Sequence, residues 1–142
     1  KNSEINTDDY KDVKAPGYLS KKQKNEFAEI ATKLVNIGIM SELDEDCLAR
    51  YLIAKDNYLK FTKLLNSAIK NKASKQYRDN VEMQRLYSAD IEAYLIHQDR
   101  AFKQCNACAD KMGLTITSRC RLQVPQAPEK PKENKFAKFS VV

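Results

Sequence analysis

The chain has 142 residues, of which 31% are charged, with only three glycines and no tryptophan; that length suits one domain with one modest core. Mean hydropathy is −0.64, and no apolar run approaches the roughly 20 residues that a bilayer-spanning helix needs, which excludes that class of protein. The net charge of +6 and pI of about 9.1 permit a polyanionic partner without requiring one, because net charge governs non-specific binding and solubility rather than fold.

Residues 1–18 read as a flexible N-terminal arm, polar and mixed in charge, that ends in the turn signal Ala15-Pro16-Gly17. Asp8, Asp9 and Asp12 stand where a secretory leader would be cationic and then apolar, so none is read there. Ser20 followed by Gln23 is a capping box, and Phe27, Ile30, Ala31, Leu34 and Ile37 then recur at helical spacing. A first helix from Ser20 to Ile37 follows, with Gly38 as its C-terminal stop. Lys21, Lys22 and Lys24 crowd its start, where the helix dipole disfavours cations. Accepting that cost argues for an anionic partner such as a phosphate backbone.

A second helix opens at Ser41, with Glu42, Asp44, Glu45 and Asp46 in the first turn, where the dipole stabilises acids. Cys47, Tyr51, Ala54, Tyr58, Phe61, Leu65 and Ala68 alternate in steps of three and four, a seam for a facing helix. A second stripe of Leu48, Leu52 and Leu59 widens the apolar face, either for a thicker monomeric core or for contact between subunits. Residues 75–87 break the helical pattern: Asp79-Asn80 is a turn pair, and Val81, Met83 and Tyr87 predict a short β-hairpin or an irregular loop. A third helix resumes near Ala89 and runs to Met112, with Ile91, Leu95, Gln98, Phe102, Cys105, Ala109 and Met112 as its seam.

Two long helices with matching seams make an antiparallel hairpin, and the first helix packs across it. Gly113 stops the third helix, and Thr115 or Thr117 caps a short fourth one that ends near Leu122. The expected fold is therefore mainly α, with a helical core over 19–123. Residues 124–142 read as a flexible tail in which Pro125, Pro128 and Pro131 interleave with Lys and Glu. Phe136 and Phe139, at helical spacing within that tail, suggest a docking peptide.

Catalytic and metal chemistry find little support. Cys105 and Cys108 form one CxxC, but Cys47 and Cys120 do not complete a familiar zinc spacing, and Cys47 and Cys105 fall on apolar seams. His97 is the only histidine, the three glycines stand apart, and the acids at 42–46 are explained by the helix start. No cofactor or metal is expected. Cations also gather at Lys60, Lys63, Lys70, Lys72, Lys75 and Arg78, and at Arg119 and Arg121. Lys60 and Lys63 read as a solvated face. A helix-turn-helix reader formed by the first two helices lacks a recognition helix, because the second begins with acids that repel phosphate.

The order of these pieces resembles the small terminase subunit of tailed, cohesive-end bacteriophages, from about Ala15 to Phe139. The turn Ile37-Gly38-Ile39-Met40-Ser41-Glu42-Leu43-Asp44 is similar to the family's start of its second helix, followed by Tyr51 and Tyr58. Gly113 to Leu122 (GLTITSRCRL) is similar to its GLTPxSRxRL motif, and Lys135-Phe136-Ala137-Lys138-Phe139 to its acidic-Phe-Ala-x-Phe tail. Ile116 replaces the usual proline, Ser88-Ala89-Asp90 stands where an Asn-Pro pair is common, and Asn134 replaces an acid.

The resemblance implies a non-enzymatic subunit of the genome-packaging motor that forms a homo-oligomeric ring. It implies that the subunit binds viral double-stranded DNA and regulates the ATPase and nuclease of the large terminase subunit, in the host cell cytoplasm during phage assembly. The candidate DNA contacts are Lys14, Lys21, Lys22 and Lys24, then Arg119 and Arg121; Arg119 can equally hold the fold through a carboxylate. Leu48, Leu52 and Leu59 are the candidate oligomerisation residues, and Phe136 and Phe139 the candidate docking residues for the large subunit. The rival reading is a helical oligomeric adaptor that does not touch DNA.

Overall fold

The computed structural model describes residues 13–123. Four α-helices follow one another: α1 (Lys21–Asn36), α2 (Glu45–Ala73), α3 (Val81–Lys111) and α4 (Ile116–Gln123), with a 3-10 turn at Glu42–Asp44 leading into α2. Local chemistry sets most of the boundaries. Ser20 Oγ accepts from the Gln23 backbone N–H while Gln23 Oε1 accepts from the Ser20 N–H, so two orphan donors of α1 are satisfied reciprocally. Gly38 and Gly113 sit at φ +74° and +68°, the left-handed conformation that ends α1 and α3. Thr115 is the cap of α4, its Oγ1 accepting from the Ser118 N–H at 3.1 Å.

α2 and α3 form the antiparallel hairpin. Tyr58 meets Phe102, Phe61 meets Tyr94 and His97, and Gln98 Nε2 donates to Thr62 Oγ1 at 2.8 Å. The α2 seam runs as its spacing predicts, with Ala54, Leu65 and Ala68 buried. The α3 seam is turned by one position. Ala101 is buried, whereas Leu95 and Phe102 are 48% and 49% exposed, so Tyr94 and Ala101 take the places the periodicity gives to Leu95 and Phe102. The bulk of Tyr58 on α2 explains the change, since a small residue at 101 lets the helices approach while the Phe102 ring leans against Tyr58 from the rim.

The expected β-hairpin at 75–87 is absent, and among the described residues there is no strand. Instead α3 begins at Val81, two turns before Ala89, because Asn80 Oδ1 accepts from the Met83 N–H and caps it there. Gln84 Nε2 donates to the carbonyls of Lys72 and Tyr77 at 2.9 and 2.8 Å and closes the connecting turn. Tyr77 packs edge-on against Tyr87, one of the apolar residues read there as strand.

The core lies at the open end of the hairpin. Phe27, Ala31 and Leu34 of α1 pack with Met40, Leu48, Ala49, Leu52, Met112 and Leu19. Leu48 and Leu52 are each 0% exposed there, so of the two readings of the stripe the thicker core within the subunit holds for these two, and of the candidate oligomerisation residues only Leu59 stays at the surface. Residues 13–18, assigned from sequence to the arm, lie against this end: Val13 and Ala15 pack on the core, the Lys14 N–H donates to Glu45 Oε1, and the Tyr18 hydroxyl donates to Asp46 Oδ1.

Candidate functional site

The side chain of Gln23 has a second partner besides the cap. Its Nε2 donates to Asp56 Oδ2 at 2.7 Å, and three residues on Glu26 pairs with Lys55 at 3.4 Å. These two contacts pin the first turns of α1 beside the middle of α2. Lys22 is thereby carried to a groove of about 410 Å³ whose other walls are Asp56, Leu59, Lys60, Lys63 and Leu64. Three ammonium groups face one carboxylate across an open surface. The arrangement suits an extended polyanion that several weak contacts can hold, because each exposed charge alone contributes little.

Of the residues singled out from sequence as DNA contacts, only Lys22 lines this groove. Lys21 and Lys24 are exposed beside it on the first turns of α1. Lys14 is also exposed, but its backbone is tied to Glu45 at the start of α2, some 16 Å along the helix from Asp56 at 1.5 Å per residue. Arg119 is exposed on α4 at the open end of the hairpin, and the ion pairs among the described residues (Lys33–Glu29, Lys55–Glu26, Lys103–Asp99) leave it out. The side chain of Arg121 lies outside the described set, as do Phe136 and Phe139. Lys60 and Lys63, read from sequence as a solvated face, are the residues that complete the groove. The Gln23–Asp56 bond that brings them to Lys22 joins positions 33 apart and has no local signature.

A second groove, of about 370 Å³, lies on the hairpin between Arg50, Ile53, Ala54 and Asn57 of α2 and Gln104, Ala107 and Cys108 of α3. Its walls carry one cation and no carboxylate. His97 stands exposed with its ring stacked on Phe61 at 5.0 Å, and its packing rather than proton transfer accounts for its position. All four cysteines are free thiols. Burial first, then the neighbouring Cys108, raises the pKa of Cys47 and of Cys105 above the ordinary thiol value, which favours the neutral form over a metal-binding thiolate.

Among the described residues no helix is long and apolar enough to cross a membrane. The family described as "Phage terminase, small subunit" matches residues 23–129, from the start of α1 into the tail and across Gly113–Leu122. No curated protein and no solved structure matches the chain. The match spans most of the sequence: the chain belongs to the phage terminase small subunits and has a role in phage DNA packaging.

Proposed function

We propose, with that membership as the premise, that this subunit recognises viral double-stranded DNA for packaging and regulates the large terminase subunit without chemistry of its own. The observation that carries the reading is the groove in which Lys22 meets Lys60 and Lys63. Lys22 contacts phosphate there and Lys21 and Lys24 contact phosphates beside it, and Lys14, Arg119 and Arg121 contact DNA that continues past the open end of the hairpin. Arg119 has no carboxylate partner among the described residues, which favours phosphate for it over a structural ion pair.

The assembly is a homo-oligomeric ring. Leu95, Ile96 and Phe102 of α3 are 48% or 49% exposed, and Leu59, in the wall of the Lys22 groove, is 41% exposed; apolar side chains of this size left at the surface are the kind a second subunit buries. Phe136 and Phe139 dock the large subunit, and the work is done in the host cytoplasm during assembly.

The test is a salt series of duplex binding. The wild-type chain binds with a steep negative slope of log affinity on log salt, and K21Q/K22Q/K24Q flattens that slope by up to about 0.9 for each phosphate no longer neutralised. A wild-type chain that fails to bind phage DNA at low salt would refute the proposal. A helical adaptor without a DNA role would then remain, with large-subunit stimulation abolished only when residues after Pro131 are removed.

A further inference from the structure

The positive charge of this chain is segregated. From Asn57 to Arg78 there are six cations, Lys60, Lys63, Lys70, Lys72, Lys75 and Arg78, and no acid. α3, by contrast, mixes Glu82, Asp90, Glu92, Asp99 and Asp110 with Arg85, Arg100, Lys103 and Lys111. The helix dipole accounts for Lys70 and Lys72 in the last turn of α2, but not for Lys60 and Lys63 in its interior. Like charges three apart on a helix repel; Asp56 stands four residues before Lys60, but no acid lies at helical spacing from Lys63 or Lys70. Among the described residues, none of the six joins an ion pair.

Geometry puts Lys63 and Lys70 on one side. At 100° per residue they fall within about 20° of each other on the side opposite Phe61, Leu65 and Ala68, which face α3, while Lys60 lies on the flank with its Nζ 5.7 Å from the Phe61 ring centre. All three are exposed, and Lys60 and Lys63 continue the groove that begins at Lys22. From Lys60 to Lys70 the track advances about 15 Å, a length over which duplex DNA carries roughly nine phosphates on its two strands. Lys75 and Arg78, both exposed, extend it around the tip. The turn that carries them is held by Gln84, by the Ser74 hydroxyl on the Asn71 carbonyl, and by the Asn80 cap.

We propose that the end of α2 and the hairpin tip, from Lys70 to Lys75 and Arg78, continue the groove at Lys60 and Lys63 as a phosphate track for duplex DNA. It carries the nucleic acid away from the groove at Lys22. The proposal rests on the duplex-binding reading above, which already uses Lys60 and Lys63, and extends it to Lys70, Lys75 and Arg78. The contact is with backbone phosphates, so it adds affinity and direction without sequence preference.

The experiment uses the full chain and a random-sequence duplex of about 30 base pairs, followed by anisotropy from about 50 to about 200 mM salt. K70Q/K75Q/R78Q, which spares the Lys22 groove, lowers the magnitude of the log–log slope by close to three, about 0.9 for each cation removed, and weakens binding at least tenfold at low salt. K103Q, which removes a cation already paired with Asp99 on α3, leaves slope and affinity unchanged. Glutamine suits the exposed helix position at 70 and the exposed turn positions at 75 and 78, and an unchanged thermal midpoint shows that the variant folds. A slope for the triple variant within about 0.5 of the wild type overturns the track while leaving DNA binding at the Lys22 groove intact. Absence of wild-type binding instead overturns the function itself. Full DNA affinity together with failure of large-subunit capture would assign the face to a protein partner and also overturn the proposal.

Discussion

Leu52→Ala separates packing within the subunit from packing between subunits. Leu52 is 0% exposed and lies among Phe27, Ala31, Leu34, Met40, Leu48 and Met112, with α1 covering it. Removing its isobutyl group costs the transfer free energy of those atoms plus a cavity, about 2–5 kcal/mol. A domain of this size is stable by about 5–15 kcal/mol, so this is a large fraction of the whole. At about 4 °C per kcal/mol the thermal midpoint falls by roughly 8–20 °C. Leu59, one helical stripe position further on and 41% exposed, costs about 1 kcal/mol or less within the subunit when cut to Ala. Urea unfolding by circular dichroism at a low and a high protein concentration measures both. The Leu52→Ala penalty is independent of concentration, whereas Leu59→Ala shifts the mass measured by light scattering toward smaller species. The reasoning fails if the two variants are equally costly, or if the Leu52→Ala penalty grows on dilution.

Two further outcomes follow from the seam. Thr62→Val leaves the half-buried Gln98 Nε2 without its acceptor and costs about 1–3 kcal/mol, whereas Thr62→Val with Gln98→Leu recovers most of that stability; additive penalties in the double-mutant cycle would show that the pair is not coupled. Thiol labelling near pH 8 modifies exposed Cys120 first and Cys47 and Cys105 slowly, because burial hides these two and raises their pKa above 9.0. For both thiols the folded pKa is the higher one, so their contribution to stability is full below the unfolded value near 9.0 and declines as pH rises through the folded value. Equal labelling rates at Cys47 and Cys120 would contradict this placement.

The parts of the fold legible in the sequence are those set by interactions within a turn or two. The Ser20–Gln23 box, the stops at Gly38 and Gly113 and the Thr115 cap each involve residues no more than five apart, and the structure places them where their chemistry predicts. The seam of α3 is less legible because two registers share Ile91, Gln98, Cys105 and Met112. Choosing between Leu95 with Phe102 and Tyr94 with Ala101 by hydrophobicity alone favours the first pair. The facing helix decides for the second, since Phe102 set squarely against Tyr58 would hold the helices apart where Ala101 lets them close. The missing β-hairpin has the same origin: Val81, Met83 and Tyr87 alternate as a strand would, but only the Asn80 cap and the partner ring of Tyr77 reveal that they are helical.

The candidate site divides along the same line. Lys21, Lys22 and Lys24 stand out locally because they oppose the dipole of their own helix. Lys60 and Lys63 do not, since a mid-helix lysine is ordinarily a solvated residue. Their significance depends on Gln23, whose one amide caps α1 through its oxygen and clamps α2 through its nitrogen. A capping box needs only a Glu or Gln at that position, and Glu would cap equally well. Glu could not donate to Asp56, and two carboxylates at 2.7 Å would repel instead of joining the helices. The choice of Gln over Glu at residue 23 is thus the local trace of a long-range contact. Together with Glu26, which pairs with Lys55, it determines where Lys22 ends up relative to Lys60 and Lys63.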